Sequence, residues 1–156
     1  MADKESKISN SVNIRNKRAG FEFEFLEKFT AGMVLQGTEI KSIRQGKVSF
    51  QDSYCIFFHD ELFVRDLHIS AYDKGTHYNH EPKRDRKLLL SKKELKRLSS
   101  KSEEKGLSII PVKIFLSSRG YAKIEIALAR GKKIHDKRES IKDRDLKRDL
   151  ERNFYR

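Results

Sequence analysis

The chain has 156 residues, enough for one domain with a sizeable core and an appendage. Its 35 Lys and Arg against 23 Asp and Glu leave a net charge of +12, which points to a polyanionic partner and salt-dependent binding. No run of about 18 apolar residues occurs, which excludes a membrane-spanning helix, and the single cysteine excludes an internal disulfide. Met1-Ala2-Asp3-Lys4-Glu5 lacks the apolar core of a signal peptide, so the expected setting is a reducing cytoplasm, with Cys55 a small buried hydrophobe.

Residues 1–12 are polar and read as a flexible N-terminus. Asn13 to Ala19 forms a basic approach to a first strand, in which Asn16 beside Lys17 and Arg18 suits a phosphate and a base edge. Phe21-Glu22-Phe23-Glu24-Phe25 alternates apolar and charged, as a half-buried antiparallel strand does. Leu26 breaks that alternation and predicts a bulge near Phe25-Leu26. Ala31-Gly32 reads as a turn and Met33 to Gln36 as extended chain. Gly37 to Lys47 reads as a short helical segment ended by Gly46, with Ile40 and Ile43 on one side and Lys41 and Arg44 exposed.

Val48 to Phe58 is rich in β-formers, and the polar break at His59-Asp60-Glu61 predicts a hairpin with Leu62-Phe63-Val64. Residues 70–87 are turn-rich and basic, the pattern of a long exposed loop. Ser91-Lys92-Lys93-Glu94 is a capping box opening a helix with Leu95 and Leu98 on its apolar face, ended by Gly106. Leu107 to Leu116 and Tyr121 to Ala129 then flank a turn at Ser117-Ser118-Arg119-Gly120. Ile110, Val112, Ile114 and Leu116 share one face, and Ala122, Ile124, Ile126 and Leu128 share another. The expected fold is mainly β: about six strands in a small antiparallel OB-like barrel with a capping helix, spanning residues 13–131.

After Gly131 the chain changes character. Residues 132–156 contain no Gly or Pro and carry ten basic against six acidic residues. Too few apolar side chains remain there to offset the ordering entropy, so this tail is expected to be disordered when free and helical when bound. Leu146, Leu150 and Phe154 recur every four residues, and Asp143 precedes Lys147 by four, which permits a helix.

The five histidines do not compose a metal or catalytic site. His77 and His80 with Glu81 lack a second pair to complete a tetrahedral shell, and Ser53 with His59 or His68 lacks a nucleophile elbow. No glycine-rich phosphate loop occurs, so no enzyme, metal or cofactor is expected. The basic clusters are stronger as a set: Lys17-Arg18, Lys41-Arg44-Lys47, Lys83-Arg84-Arg86-Lys87 and Arg130-Lys132-Lys133 each fall at an element boundary or loop. Arranged on the rims of one barrel they would make a positive band suited to phosphates and to a folded RNA shape.

Four stretches then carry a resemblance: Asn16-Lys17-Arg18-Ala19; Leu35 to Lys47, reading LQGTEIKSIRQGK; Asn79-His80-Glu81-Pro82 leading to Arg86-Lys87-Leu88-Leu89-Leu90; and Gly131-Lys132-Lys133-Ile134-His135-Asp136-Lys137-Arg138. In that order they resemble the SsrA-binding protein (small protein B) family, partners of transfer-messenger RNA. The resemblance implies a non-catalytic, monomeric, cytoplasmic RNA-binding factor of trans-translation, without cofactors and without a membrane. Its OB-like barrel would hold the tRNA-like domain of that RNA through Asn16, Lys17, Arg18, Gln36, Gly37, Glu39, Lys41, Arg130, Lys132 and Lys133, and the basic clusters add Arg44, Arg86 and Lys87. Its tail would enter the vacant decoding site and mRNA channel of a stalled ribosome through His135, Asp136, Lys137, Arg138, Lys142 and Arg144, against small-subunit rRNA. Thr30 stands where many relatives carry an acid, and Ala71 where many carry proline. A basic ribosomal or assembly protein, bound permanently to rRNA, is the alternative.

Overall fold

Two long strands, β8 (Leu107–Leu116) and β9 (Ala122–Gly131), form the seam on which a barrel closes. The computed structural model describes residues 12–75 and 77–154, the side chains of 134–136 and 154 excepted. From β9 the antiparallel ladder runs to β2 (Phe23–Met33), β7 (Arg86–Leu89), β5 (Glu61–Arg65) and β4 (Tyr54–Phe58). It returns to β8 through Cys55 opposite Ile109, so the ring is complete. A short β1 (Asn13–Arg15) extends the free edge of β8 from Lys113 to Phe115, and β3 (Val48–Ser49) pairs with β6 (His68–Ile69) in a separate ribbon. Four helices complete the chain: α1 (Lys17–Glu22), α2 (Gly37–Arg44), α3 (Lys92–Ser102) and α4 (Ile134–Phe154).

The interior is built from the inward residues of every strand plus one side of α2 and α3. Ile43, Leu62, Val64, Leu67, Ile69, Leu98, Ile114, Ile124 and Ile126 are all inaccessible to solvent. Each such side chain contributes about 1.5–3 kcal/mol through burial. Ile43 enters from α2 and Leu98 from α3, which fixes both helices against the barrel. Among the described residues no helix is long and apolar enough to cross a membrane.

Several expectations hold in detail. The register of β2 against β9 shifts between Phe25 and Glu27, placing the bulge at Leu26. The helical segment beginning at Gly37 stops before Gly46, whose φ of +73° is open to glycine without strain. The hairpin of β4 and β5 forms with Phe58 opposite Glu61, and Ala122, Ile124, Ile126 and Leu128 all enter the core.

Others are corrected. Phe21 and Glu22 belong to α1, and the strand begins only at Phe23. Asn16 is an N-cap, its Oδ1 accepting from the Ala19 N–H at 3.2 Å, and that local bond outweighs the strand-like alternation. Ala31-Gly32 is no turn: Gly32 is paired on both edges, with Lys123 and with Leu89. On β8 the inward residue is Ile109 rather than Ile110, because a register shift between Pro111 and Lys113 reverses the facing. Ile110 packs instead with Ala19 and Ala129 in a small second cluster under α1. The stretch 70–87 is not wholly exposed, since His80 and Arg86 are buried within it.

Candidate nucleic-acid interface

The basic clusters do not form one band; they gather at two ends of the barrel. Near Gly131, the strand pairing of β2 with β9 brings α1 beside the start of α4. Lys17, Arg18, Arg130 and Lys133 are exposed there, and Lys132 is partly so. Lys132 fastens the corner. Its N–H donates to the Glu22 carbonyl at 2.9 Å, and its Nζ donates to the Gly20 carbonyl and to Ser140 Oγ, each at 3.1 Å. A lysine at the last carbonyls of α1 also suits the helix dipole. The Arg144 guanidinium lies 5.5 Å from the centre of the Phe21 ring, so the first half of α4 rests on α1.

Asn16, expected to meet RNA directly, has its amide committed within the protein. Besides capping α1, its Nδ2 donates to the Pro111 carbonyl and its N–H to the Val112 carbonyl, both at 2.8 Å. Those carbonyls are freed by the β8 bulge, so Asn16 positions Lys17 and Arg18. Beside them a groove of about 1030 Å³ opens between α1 and β4, with Arg15, Lys17 and Arg18 on its rim and Ile109 and Ile110 in its floor.

The other pole lies where β8 turns into β9. The Arg44 guanidinium sits against Gly120 in that turn. Lys41 is exposed with its Nζ 5.2 Å from the centre of the Tyr72 ring, and Lys47 is paired with Asp73. Gln36 and Gly37, at the exposed start of α2, belong to this end. The ten residues of β9, at about 3.3 Å each, put roughly 30 Å between the poles.

Glu39 and Arg86 have no exposed surface with which to touch an RNA. They are the centre of a buried polar node under α2. Glu39 Oε1 accepts from Arg86 Nε at 2.7 Å and Arg84 Nε at 3.1 Å; its Oε2 accepts from Arg84 Nη2 and the Gln36 N–H, both at 2.8 Å. Burial alone would raise the Glu39 carboxyl, but Arg84, the Gln36 N–H and Arg86 outweigh it and hold the pKa below its ordinary value. Burial lowers the Arg86 pKa despite Glu39. Arg86 spends its other nitrogens on the Leu67 carbonyl at 2.7 Å and the Pro82 carbonyl at 3.0 Å.

His80 completes the node. The Ile69 carbonyl, 2.8 Å from Nε2, can only accept, so Nε2 carries the proton and Nδ1 is left to the Thr38 hydroxyl at 2.8 Å. Ser53, likewise, donates its hydroxyl to the Phe50 carbonyl. Both side chains are thus engaged in hydrogen bonds within the fold. Sequence reasoning missed this role for Arg84 and His80. The signal was present in one acid surrounded by bases, Glu39 within a basic motif, which in a folded chain marks a buried partner.

Of the remaining positions, Lys87 is half-buried and bonded to Glu61 at 2.8 Å. Arg138, Lys142 and Arg144 are exposed on α4 and Lys137 is partly so. His135 and Asp136 lie in α4 outside the residues whose side chains are described.

The family model described as SmpB protein matches residues 13–156. The chain belongs to the SmpB family. SmpB relatives of similar length surround it: an SsrA-binding protein of Cytophaga hutchinsonii is 58% identical over 145 residues, covering 93% of this chain and 95% of the relative. One of Flavobacterium psychrophilum is 58% identical over 142 residues, covering 91% and 95%. Among solved structures, a chain from one described as "tmRNA-SmpB: a journey to the center of the bacterial ribosome" is similar. It shares 46% identity at a TM-score of 0.70, over 84% of this chain and 95% of that one. The two basic poles and the basic helix α4 therefore belong to an SmpB scaffold.

Proposed function

We propose that the chain is a non-catalytic RNA-binding factor of trans-translation. It binds the tRNA-like domain of transfer-messenger RNA, delivers it to stalled ribosomes, and places residues 132–156 in the vacant decoding site and mRNA channel. The carrying observation is the pair of basic poles roughly 30 Å apart, one of which leads directly into an exposed basic helix. A duplex arm can lie against the barrel while α4 reaches a second RNA, and contacts of this kind depend on phosphates and shape. Within this reading the residues that meet the tRNA-like domain are Lys17, Arg18, Gln36, Gly37, Lys41, Arg44, Arg130, Lys132 and Lys133. Asn16, Glu39 and Arg86 act by positioning them. Lys137, Arg138, Lys142 and Arg144, with His135 and Asp136, act at the ribosome. The barrel of residues 13–131 and the tail of 132–156 are separate working parts, and the protein acts as a cytoplasmic monomer.

The test is a stop codon after Lys133. The truncated chain should keep a cooperatively folded barrel, its melt lowered only by loss of the Ser140 and Arg144 ties, and its affinity for the tRNA-like domain, while losing peptide tagging on stalled ribosomes. Loss of RNA binding with the fold intact would overturn the division of labour.

A further inference from the structure

We propose that the groove between α1 and β4 is a site for one unpaired nucleotide of the RNA, its base on Tyr54 and Ile110 and its phosphate held by Arg15 and Lys17. This rests on the RNA-binding reading above and adds a single-stranded element to it, carried by Arg15 and Tyr54, which that reading leaves unassigned.

The groove exists because one edge of β8 serves two partners. β4 meets that edge only at Cys55 opposite Ile109, and β1 takes Lys113 to Phe115. Between them Asn16 takes the Pro111 and Val112 carbonyls, so no strand fills the interval. Cys55, Ile109 and Ile14 pack into the core, and side chains alternate along a strand. Their neighbours Tyr54, Ile110 and Arg15 therefore point outward along the same seam. The antiparallel pairing at Cys55 sets Tyr54 level with Ile110, and Tyr54 packs against the small cluster of Ala19, Ile110 and Ala129. Arg15, opposite Lys113, stands three residues along β8 from Ile110, roughly 10 Å away at about 3.3 Å per residue. These three side chains, with Lys17 at the start of α1, line one cavity of about 1030 Å³.

The chemistry of that lining selects the occupant. Arg15, Lys17 and Arg18 are all exposed, and Glu22 takes only Arg18, at 3.0 Å. Among the described residues no carboxylate lies within ion-pair distance of Arg15 or Lys17. Two such cations beside an aromatic and aliphatic floor suit a group that is anionic at one end and flat at the other. A nucleotide is such a group, and it covers the span from Arg15 to Tyr54. Its phosphate takes charge-assisted bonds from the cations, and any base can stack on an aromatic ring. Gln51 and Asp52 edge the same groove and can accept from a base amino group, while the Asp52 charge disfavours a second phosphate beside it. A base held in a duplex cannot enter, because its flat faces are already stacked. The groove is continuous with Lys17 and Arg18, which the reading above places on RNA, and this favours RNA over an acidic protein segment.

The full-length chain is titrated over a range of salt with a uridine hexanucleotide carrying one central 2-aminopurine, with an RNA duplex, and with the folded tRNA-like domain. For the hexanucleotide, Arg15→Gln should lower the slope of log affinity against log salt by about 0.7. Arg15 is exposed, so this substitution leaves the fold untouched. Tyr54→Leu keeps apolar bulk against Ile110. It should weaken hexanucleotide binding on the order of tenfold at an unchanged slope and remove the quenching of 2-aminopurine, whereas Tyr54→Phe should retain both. On the duplex, Tyr54→Leu should match wild type. Absence of hexanucleotide binding, wild-type affinity in Tyr54→Leu, an equal loss in Tyr54→Phe, or an unchanged slope in Arg15→Gln would each overturn the site. So would an equal loss on the duplex. Binding of a hexaglutamate peptide that Tyr54→Leu abolishes would overturn it too, assigning the groove to an acidic protein segment. In each of these cases retained binding of the tRNA-like domain would leave the proposed function standing. Failure of the wild-type chain to bind that domain would overturn the proposed function itself.

Discussion

Arg86 and Glu39 form an ion pair that solvent does not reach, with Nε and Oε1 2.7 Å apart and both side chains fully buried. Two charges taken from water gain little net stability together, but removing one strands the other. Arg86→Met, Glu39→Leu and Glu39→Gln should each cost roughly 3–5 kcal/mol, lowering the melting temperature by about 6 °C or more. The double variant Glu39→Leu with Arg86→Met should recover much of that loss. Additive losses in a double-mutant cycle would mean that the pair is not coupled.

The same node sets an acid limit. Glu39 is held below its unfolded value of 4.5, so the folded state favours its ionised form. Its contribution is therefore present above pH 4.5 and is lost as pH falls through the lower folded value. Urea unfolding from pH 6 to 2.5 should show the gap between wild type and Glu39→Gln narrowing in that acid window. A gap independent of pH would contradict the assignment.

Local chemistry was legible in the sequence wherever one interaction dominated. The Leu26 bulge, the stop at Gly46 and the inward face of β9 follow from alternation and glycine alone. Phe21 to Phe25 misled because Asn16 starts a helix from outside the alternating stretch, and the competing bond is only three residues long. Ile110 misled because the Pro111 bulge shifts the facing of β8, and a period-two pattern carries no record of an inserted residue. At the candidate site, the basic residues were visible but their separation was not. Whether clusters far apart in sequence share a rim depends on strand register, which places Arg44 at one end of β9 and Lys132 at the other. Burial of Glu39, Arg86 and His80 likewise depends on how α2 meets the 80s segment, a long-range packing that no local pattern states.

Asn16 links α1 to the β8 bulge, which separates two kinds of substitution. Asn16→Ala loses the cap and the bond to Pro111, and should cost about 1–2 kcal/mol. Asn16→Asp keeps the cap but sets a carboxylate oxygen against the Pro111 carbonyl, so it should be at least as destabilising. Thermal melts compare the two. Asn16→Asp melting like wild type would show that capping alone carries the residue.

Lys132 and Lys133 are adjacent but not equivalent. Lys133 is exposed, so Lys133→Gln should lower the salt slope for duplex RNA by about 0.9 and leave the melt unchanged. Lys132 ties Gly20 to Ser140, so Lys132→Gln should also cost about 0.5–1.5 kcal/mol and loosen α4 from α1. Salt titrations beside calorimetry separate the effects, and equal melts for both variants would remove the structural role from Lys132.

Among the residues whose side chains are described, every one on α4 from Asp145 to Asn153 is exposed. Leu146 and Leu150 are 62% and 61% exposed, and the ties to the body fall earlier, at Ser140 and Arg144. A helix of this length without tertiary contacts is marginal in water, and Arg144 with Arg148, and Arg148 with Arg152, oppose each other at four-residue spacing. RNA phosphates on either side would relieve that opposition, so helicity here should strengthen on entering an RNA-walled channel, where ordering is offset by new contacts. Leu146→Pro costs about 3 kcal/mol in a helix interior. Because residue 146 buries nothing in the barrel, the melt and the affinity for the tRNA-like domain should stay at wild-type values. Tagging of stalled ribosomes should fall sharply, and Leu146→Ala, a good helix former, should preserve it. Normal tagging by Leu146→Pro would mean that the tail works as an extended charged strand, and that the helix plays no part in the channel.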